Sequence, residues 1–221
     1  MEMKLAIIDY GSSNLRSVEN AFKKSILDNS LNYDVNVTNN LNLINKADLL
    51  VLPGVGSYPD CKKGLEKIKG LIEVLSEQVI YKKKPFLGIC VGMQLMVEHS
   101  LEKIKTNGFG WLNGSIEKIN NVELDYLGRK IKIPHMGWNN LQINKKVHPL
   151  FKNINEKEQF YFVHSYYLKT TKKDQILAET TYGHKIPAVI AKDNYIGVQF
   201  HPEKSSLAGQ KIIANWLSWK P

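Results

Sequence analysis

Pro85-Phe86-Leu87-Gly88-Ile89-Cys90-Val91-Gly92-Met93-Gln94 is the stretch that decides how this chain reads. Phe86 and Leu87 open a short apolar run suited to a buried strand, and Met93-Gln94-Leu95-Met96-Val97 reads as the start of a buried helix. Gly-x-Cys-x-Gly between them has the form of a nucleophile elbow, a sharp strand-to-helix turn that pushes one side chain out at the end of a sheet. Glycines suit such a turn because side chains would block it. A thiol there also meets the positive end of the helix dipole, which favours thiolate. A cysteine between glycines can also be simply a small core residue, the lesser of the two readings. What separates the two readings is a base for Cys90, and His201-Pro202-Glu203 offers one with a carboxylate to orient it.

Outward from the elbow, strands and helices alternate. Lys4 to Asp9 is a continuous apolar strand, Asn14 to Ser25 has helical spacing, and Tyr33 to Thr38 alternates as a strand. Leu49-Leu50-Val51-Leu52 is a buried strand ending at Pro53-Gly54, and Cys61 to Tyr81 reads as one helix. Continuous apolar strands between helices predict a mostly parallel central sheet covered on both faces. The C-terminal half differs. Ser115 to Ile119, Lys130 to Ile133 (around Leu127-Gly128), Gln159 to Tyr167 and Ile176 to Thr181 read as strands. Ala188 to Ala191 and Tyr195 to Phe200 form a hairpin near Asp193-Asn194, so antiparallel strands are expected there. A last helix runs from Ser206 to Trp219. The fold class is α/β with three layers, and residues 1–221 are expected to form one domain without linker or repeat. The strand Tyr195-Ile196-Gly197-Val198-Gln199-Phe200 carries His201 to a strand end, where ligand sites of open parallel sheets collect.

The chain is 43% hydrophobic and 23% charged, as globular proteins are, and no apolar run approaches a membrane span. A cytoplasmic location is expected. With only Cys61 and Cys90, a disulfide framework is excluded by number and a cysteine metal cluster is not expected. The net charge of +9 invites a nucleic-acid reading, but among 30 basic residues only Arg16 and Arg129 are arginines, the type that forks onto phosphates and base edges. The lysines read as a solvated surface. Leu52-Pro53-Gly54-Val55-Gly56-Ser57 leaves backbone N–H groups bare after a buried strand. Such groups can stabilise an oxyanion, although an ordinary glycine turn has the same sequence.

Gly88-Ile-Cys90-Val-Gly-Met-Gln94 with His201-Pro-Glu203 resembles the class I (triad) glutamine amidotransferases. Within them the chain is similar to the glutaminase subunits of imidazole glycerol phosphate synthase over nearly its whole length. Asp9-Tyr10-Gly11, Pro134-His135-Met136-Gly137-Trp138-Asn139, Tyr161-Phe162-Val163-His164-Ser165-Tyr166 and Gln199-Phe200-His201-Pro202-Glu203-Lys204-Ser205 carry the likeness. The resemblance implies a three-layer amidotransferase fold with no metal or organic cofactor. It implies Cys90 as nucleophile, His201 as base and acid, and Glu203 as the group that orients His201. Gly54, Val55 and Gly56 match the oxyanion strand, with the Val91 N–H as second donor. Gln94 matches a substrate-holding position, Glu102 one that binds the α-amino group, and Ser165 and Tyr166 the segment that meets the α-carboxylate. The partner implied is a (β/α)8-barrel cyclase subunit of the HisF type, with Asn14, Met136, Trp138, Tyr161 and Lys204 near the interface. The alternative acceptor of ammonia is an amidino-sugar pathway. A binding-only relative is a further alternative, against which the intact triad argues. Ser13, where the family usually has Gly, and Val91, where it usually has Leu, depart from the pattern.

Overall fold

The computed structural model describes residues 2–120, 128, 130–144 and 147–221. Its strands are β1 (Met3–Ile8), β2 (Tyr33–Thr38), β3 (Leu49–Gly54), β4 (Phe86–Cys90), β5 (Val97–Ser100), β6 (Thr106–Asn107), β7 (Leu112–Lys118), β8 (His135–Asn140), β9 (Gln142–Ile143), β10 (Gln159–His164), β11 (Tyr166–Lys169), β12 (Ile176–Tyr182), β13 (His184–Lys192) and β14 (Tyr195–Val198). The α-helices are α1 (Leu15–Asp28), α2 (Leu41–Lys46), α3 (Tyr58–Glu66), α4 (Leu71–Ser76), α5 (Val91–Gln94) and α6 (Ser206–Leu217).

The main sheet has the order β2-β1-β3-β4-β14-β13-β12-β9. It is parallel from β2 to β14 and antiparallel beyond. Every residue of β3 and β4 is buried, which is why both read as uninterrupted apolar runs. The chain steps one way from β1 to β2 and the other way from β2 to β3. Right-handed crossovers therefore put α1 on one face and α2 on the other. Helix α1 buries Val18, Ala21, Phe22, Ser25 and Ile26, a stripe at helical spacing, and Phe22 meets Trp216 of α6 edge-on at 5.9 Å. Val18, Phe22 and Ile26, removed from water, contribute about 1.5–3 kcal/mol each.

Four expectations need correction. Cys61 to Tyr81 is not one helix: Gly70 takes φ +84 between α3 and α4, and α4 ends in a π-helical turn, Glu77–Tyr81. The helix after Cys90 is a single turn. The carbonyls of Leu95 and Met96, which a longer helix would use, instead accept from Phe109, Trp111 and Leu112, and Val97 opens a strand. Gln159 to Tyr167 splits at Ser165, since β10 pairs with β8 while β11 pairs with β7. Residues 131–134 form no strand, and Lys130 makes only an isolated bridge. Leu127 and Arg129 of that expectation lie outside the described residues. Helix α2 has no counterpart in the sequence reading, although the Asn40 side chain caps it by accepting from the Asn42 N–H.

Candidate active site

The carboxyl ends of β3, β4 and β14 meet. Gly54 pairs with Cys90, and Val198 pairs with Ile89. Cys90 has φ +54 and ψ −110, a conformation non-glycine residues rarely adopt. The strain is held by close packing. A Cβ on Gly92 would lie 1.9 Å from the Leu52 carbonyl oxygen, and one on Gly54 2.6 Å from the Gly92 nitrogen. The elbow is thus pressed against the end of β3, with no room for side chains at either glycine.

Beyond β14 the chain brings His201 beside the thiol. His201 and Cys90 line the same cavity, and His201 Nδ1 lies 2.7 Å from Glu203 Oε1. Both triad side chains behind the sulfur are buried, 1% exposed for His201 and 0% for Glu203. Burial alone would disfavour an imidazolium. The Cys90 sulfur and the Glu203 carboxylate outweigh it and push His201 well above its ordinary value. The ring is thus placed to take and hold the thiol proton beside the sulfur. The triad's backbone is tied down as well: the His201 N–H donates to the Tyr161 carbonyl, and the Ser205 hydroxyl donates to the His201 carbonyl at 2.6 Å.

A cavity of about 300 Å³ opens at Cys90. Val55, Gly56, Val91, Gln94, Glu102, Ser165, Tyr166 and His201, each named from the sequence, line it with Cys90. Gly54 lies behind it against the elbow. Gln94 Nε2 donates to the Tyr166 carbonyl (3.1 Å) and to Gln199 Oε1 (3.0 Å). Both amide hydrogens are taken, so Gln94 presents its oxygen to an occupant. The Ser165 carbonyl accepts from the Ile119 N–H. Both the Ser165 and the Tyr166 carbonyls are thus engaged within the protein. One Glu102 oxygen accepts from the Tyr58 N–H at 2.7 Å, leaving the other for a cation.

The residues expected at a partner face divide. Met136 and Trp138 are 62% and 48% exposed on β8, and Tyr161 packs edge-on against Trp138 at 5.8 Å. Lys204 is exposed next to Glu203. Asn14 turns inward instead, and its Nδ2 donates to Glu203 Oε1 at 2.8 Å while the Ser12 hydroxyl donates to its Oδ1. Sequence reasoning missed Gln199, whose Nε2 lies 3.7 Å from the Cys90 sulfur, and Pro134, Val163 and His164 in the cavity wall. His164 falls inside one of the motif segments above, but its place at an inward position of an apolar strand, where a buried imidazole needs partners, was the unused signal. Among the described residues, no group of three or more His, Cys, Asp or Glu is placed to hold a metal ion.

Comparison with known proteins agrees with this geometry. The family model for glutamine amidotransferase class-I matches residues 6–218. The imidazole glycerol phosphate synthase subunit HisH of Brucella suis biovar 1 is 45% identical, over 99% of this chain and all of that protein. The HisH subunit of Mesorhizobium japonicum is 44% identical over the same shares. A solved glutamine amidotransferase has 14% sequence identity and superposes with a TM-score of 0.67, covering 96% of each chain, a likeness of fold. The chain belongs to the class-I glutamine amidotransferases, among the HisH subunits of imidazole glycerol phosphate synthase.

Proposed function

We propose that the chain hydrolyses L-glutamine to L-glutamate and ammonia, and that a HisF-type (β/α)8-barrel cyclase subunit receives the ammonia for imidazole glycerol phosphate synthesis. The observation that carries the chemistry is the Cys90–His201–Glu203 array, with Cys90 and His201 opening into a cavity that Gln94, Glu102, Ser165 and Tyr166 also line. Cys90 Sγ attacks the side-chain amide carbon. The oxyanion forms against Gly54 to Gly56 and the Val91 N–H, donors of the kind that contribute about 3–4 kcal/mol each. His201 hands its proton to the departing nitrogen, and ammonia leaves a γ-glutamyl thioester on Cys90. Water, deprotonated by His201, adds to the thioester and releases glutamate, and the proton returns to the Cys90–His201 pair. Glu203 holds the ring and its charge throughout.

In the same reading Gln94 and Glu102 meet the substrate's polar groups, while the donors of Ser165 and Tyr166 hold its α-carboxylate. Met136, Trp138, Tyr161 and Lys204 contact the barrel. Free ammonia at neutral pH is mostly protonated and no longer nucleophilic, so enclosed transfer to the partner preserves it. The histidine pathway is favoured over the amidino-sugar alternative because HisH relatives match end to end. The reading places the enzyme in the cytoplasm, where both thiols stay reduced. The test is glutamate release by the purified chain, alone and with a HisF-type barrel subunit plus the phosphoribulosyl formimino carboxamide ribonucleotide. A large rise with partner and ribonucleotide supports the reading. Glutamate release indifferent to both would remove the cyclase from it.

A further inference from the structure

Two histidines outside the triad are buried beside the cavity. His164 lines it, His135 stands behind, and they are 6% and 3% exposed. His135 Nδ1 and His164 Nε2 are 3.0 Å apart, and His164 Nδ1 is 2.9 Å from the Tyr166 carbonyl oxygen. A carbonyl only accepts, so His164 carries its proton on Nδ1. Its Nε2 must then accept, and the proton between the rings belongs to His135 Nδ1. The far end demands the same pattern independently. Asn139 Oδ1 accepts from the Asn140 N–H, which turns the Asn139 Nδ2 donor toward His135 Nε2 at 3.4 Å. That nitrogen must be an acceptor too. Four residues thus form one directional chain, Asn139 to His135 to His164 to Tyr166. Burial holds both rings neutral, with His135 pushed down to about 3 and His164 to about 4. His135 is clamped between Phe162 and Tyr182, with centroids at 4.8 and 3.9 Å.

We propose that His164, held by His135, is a positioning residue for the substrate: it fixes the Tyr166 carbonyl and so sets the rim that receives the glutamine α-carboxylate. The same carbonyl is the anchor of Gln94, which reaches Gln199 and through it the nucleophilic sulfur. Without the His164 donor, the Ser165–Tyr166 segment and the Gln94 amide lose a shared fixed point. The consequence falls on glutamine binding, because His164 makes no bond to the sulfur or to Glu203. At its other end the relay is built into β8, whose outer face carries Met136 and Trp138.

The proposal rests on the glutamine-hydrolase reading, and two measurements keep their failures apart. In the assembled enzyme with saturating ribonucleotide, His164→Leu is expected to raise KM for glutamine about tenfold while kcat falls less than threefold. The rescue pattern is specific. Asparagine places an amide N–H where Nδ1 stands, whereas glutamine places its amide near Nε2. His164→Asn should therefore bring KM back to within about threefold of the parent, and His164→Gln should not. Equal rescue by glutamine, or a loss confined to kcat, would overturn the proposal. The second measurement is the histidine tautomer in the full parent chain, read from 15N shifts at pH 7. Both rings are expected as neutral Nδ1–H forms, and an Nε2–H form or an imidazolium on either refutes the relay. That result needs no variant to fold and no substrate to turn over. If the parent complex releases no glutamate, the hydrolase reading fails by itself.

Discussion

Replacing Asn14 by alanine removes one of the two hydrogen bonds that reach Glu203 Oε1, and the surroundings set what that costs. The Glu203 side chain is fully buried, and Oε2 has no partner among the described residues. Asn14 cannot be replaced by solvent, and the carboxylate would keep only the His201 ring. A hydrogen bond to a charged group contributes about 1.5–3 kcal/mol. The carboxylate's task is to hold and stabilise an imidazolium, so most of that loss enters the barrier. At about 1.36 kcal/mol per tenfold, a loss of about 2 kcal/mol lowers kcat/KM about 30-fold. KM itself should move little, since Asn14 does not line the cavity. Asn14→Asp should be worse, because a second carboxylate would face Glu203. Ser12→Ala should be milder, about threefold, since it only frees the amide to turn. The assay is steady-state glutamate release by the chain with its partner, beside a urea melt showing that each variant is folded. A folded Asn14→Ala enzyme within threefold of the parent, or one changed only in KM, would refute the reasoning.

Other outcomes follow from the same geometry. Gly92→Ala places a Cβ where the Leu52 carbonyl stands, so urea unfolding should show a loss of about 1–3 kcal/mol or more, with glutaminase activity abolished in what folds. Acid should destabilise the protein through His135 and His164. Their folded pKa values lie below the unfolded 6.5, so the unfolded chain takes protons first as pH falls. From pH 7 to 5 this costs roughly 2 kcal/mol for each ring. His135→Phe should remove about half of that slope in chemical unfolding measured at both pH values, and an unchanged slope would assign the acid sensitivity elsewhere. Cys61 is buried, with its thiol pushed up to about 11, chiefly by desolvation. Alkylation of the native protein at pH 8, read by peptide mass, should therefore modify Cys90 and spare Cys61.

The parts legible in the sequence were those whose signal is local. Phe86 to Cys90 announces itself because a strand buried on both faces must be apolar throughout, and a turn as tight as the one at Cys90 needs its glycines. His201 and Glu203 could be paired because they stand only two positions apart along the chain. Asn14 shows the limit. It lies 189 residues from Glu203, and no spacing rule relates the two, so its bond to the triad carboxylate could not be read, and the resemblance placed it only near the partner interface. The one-turn helix after Cys90 was unreadable for a similar reason: what ends it is the competition of Phe109, Trp111 and Leu112 for its carbonyls. The split of Gln159 to Tyr167 at Ser165 was hidden because both halves alternate like one strand, and only their different pairing partners separate them. That break is what exposes Ser165 and Tyr166 to the cavity.

The central claim is that Cys90, activated by His201, attacks glutamine. The most direct measurement treats the assembled enzyme with a glutamine-mimicking diazoketone and locates the adduct by peptide mass. The account predicts one adduct, on the Cys90 sulfur, prevented by excess glutamine and formed far more slowly in His201→Asn. An adduct on Cys61 or elsewhere, or labelling of Cys90 that neither glutamine nor His201→Asn alters, would contradict it.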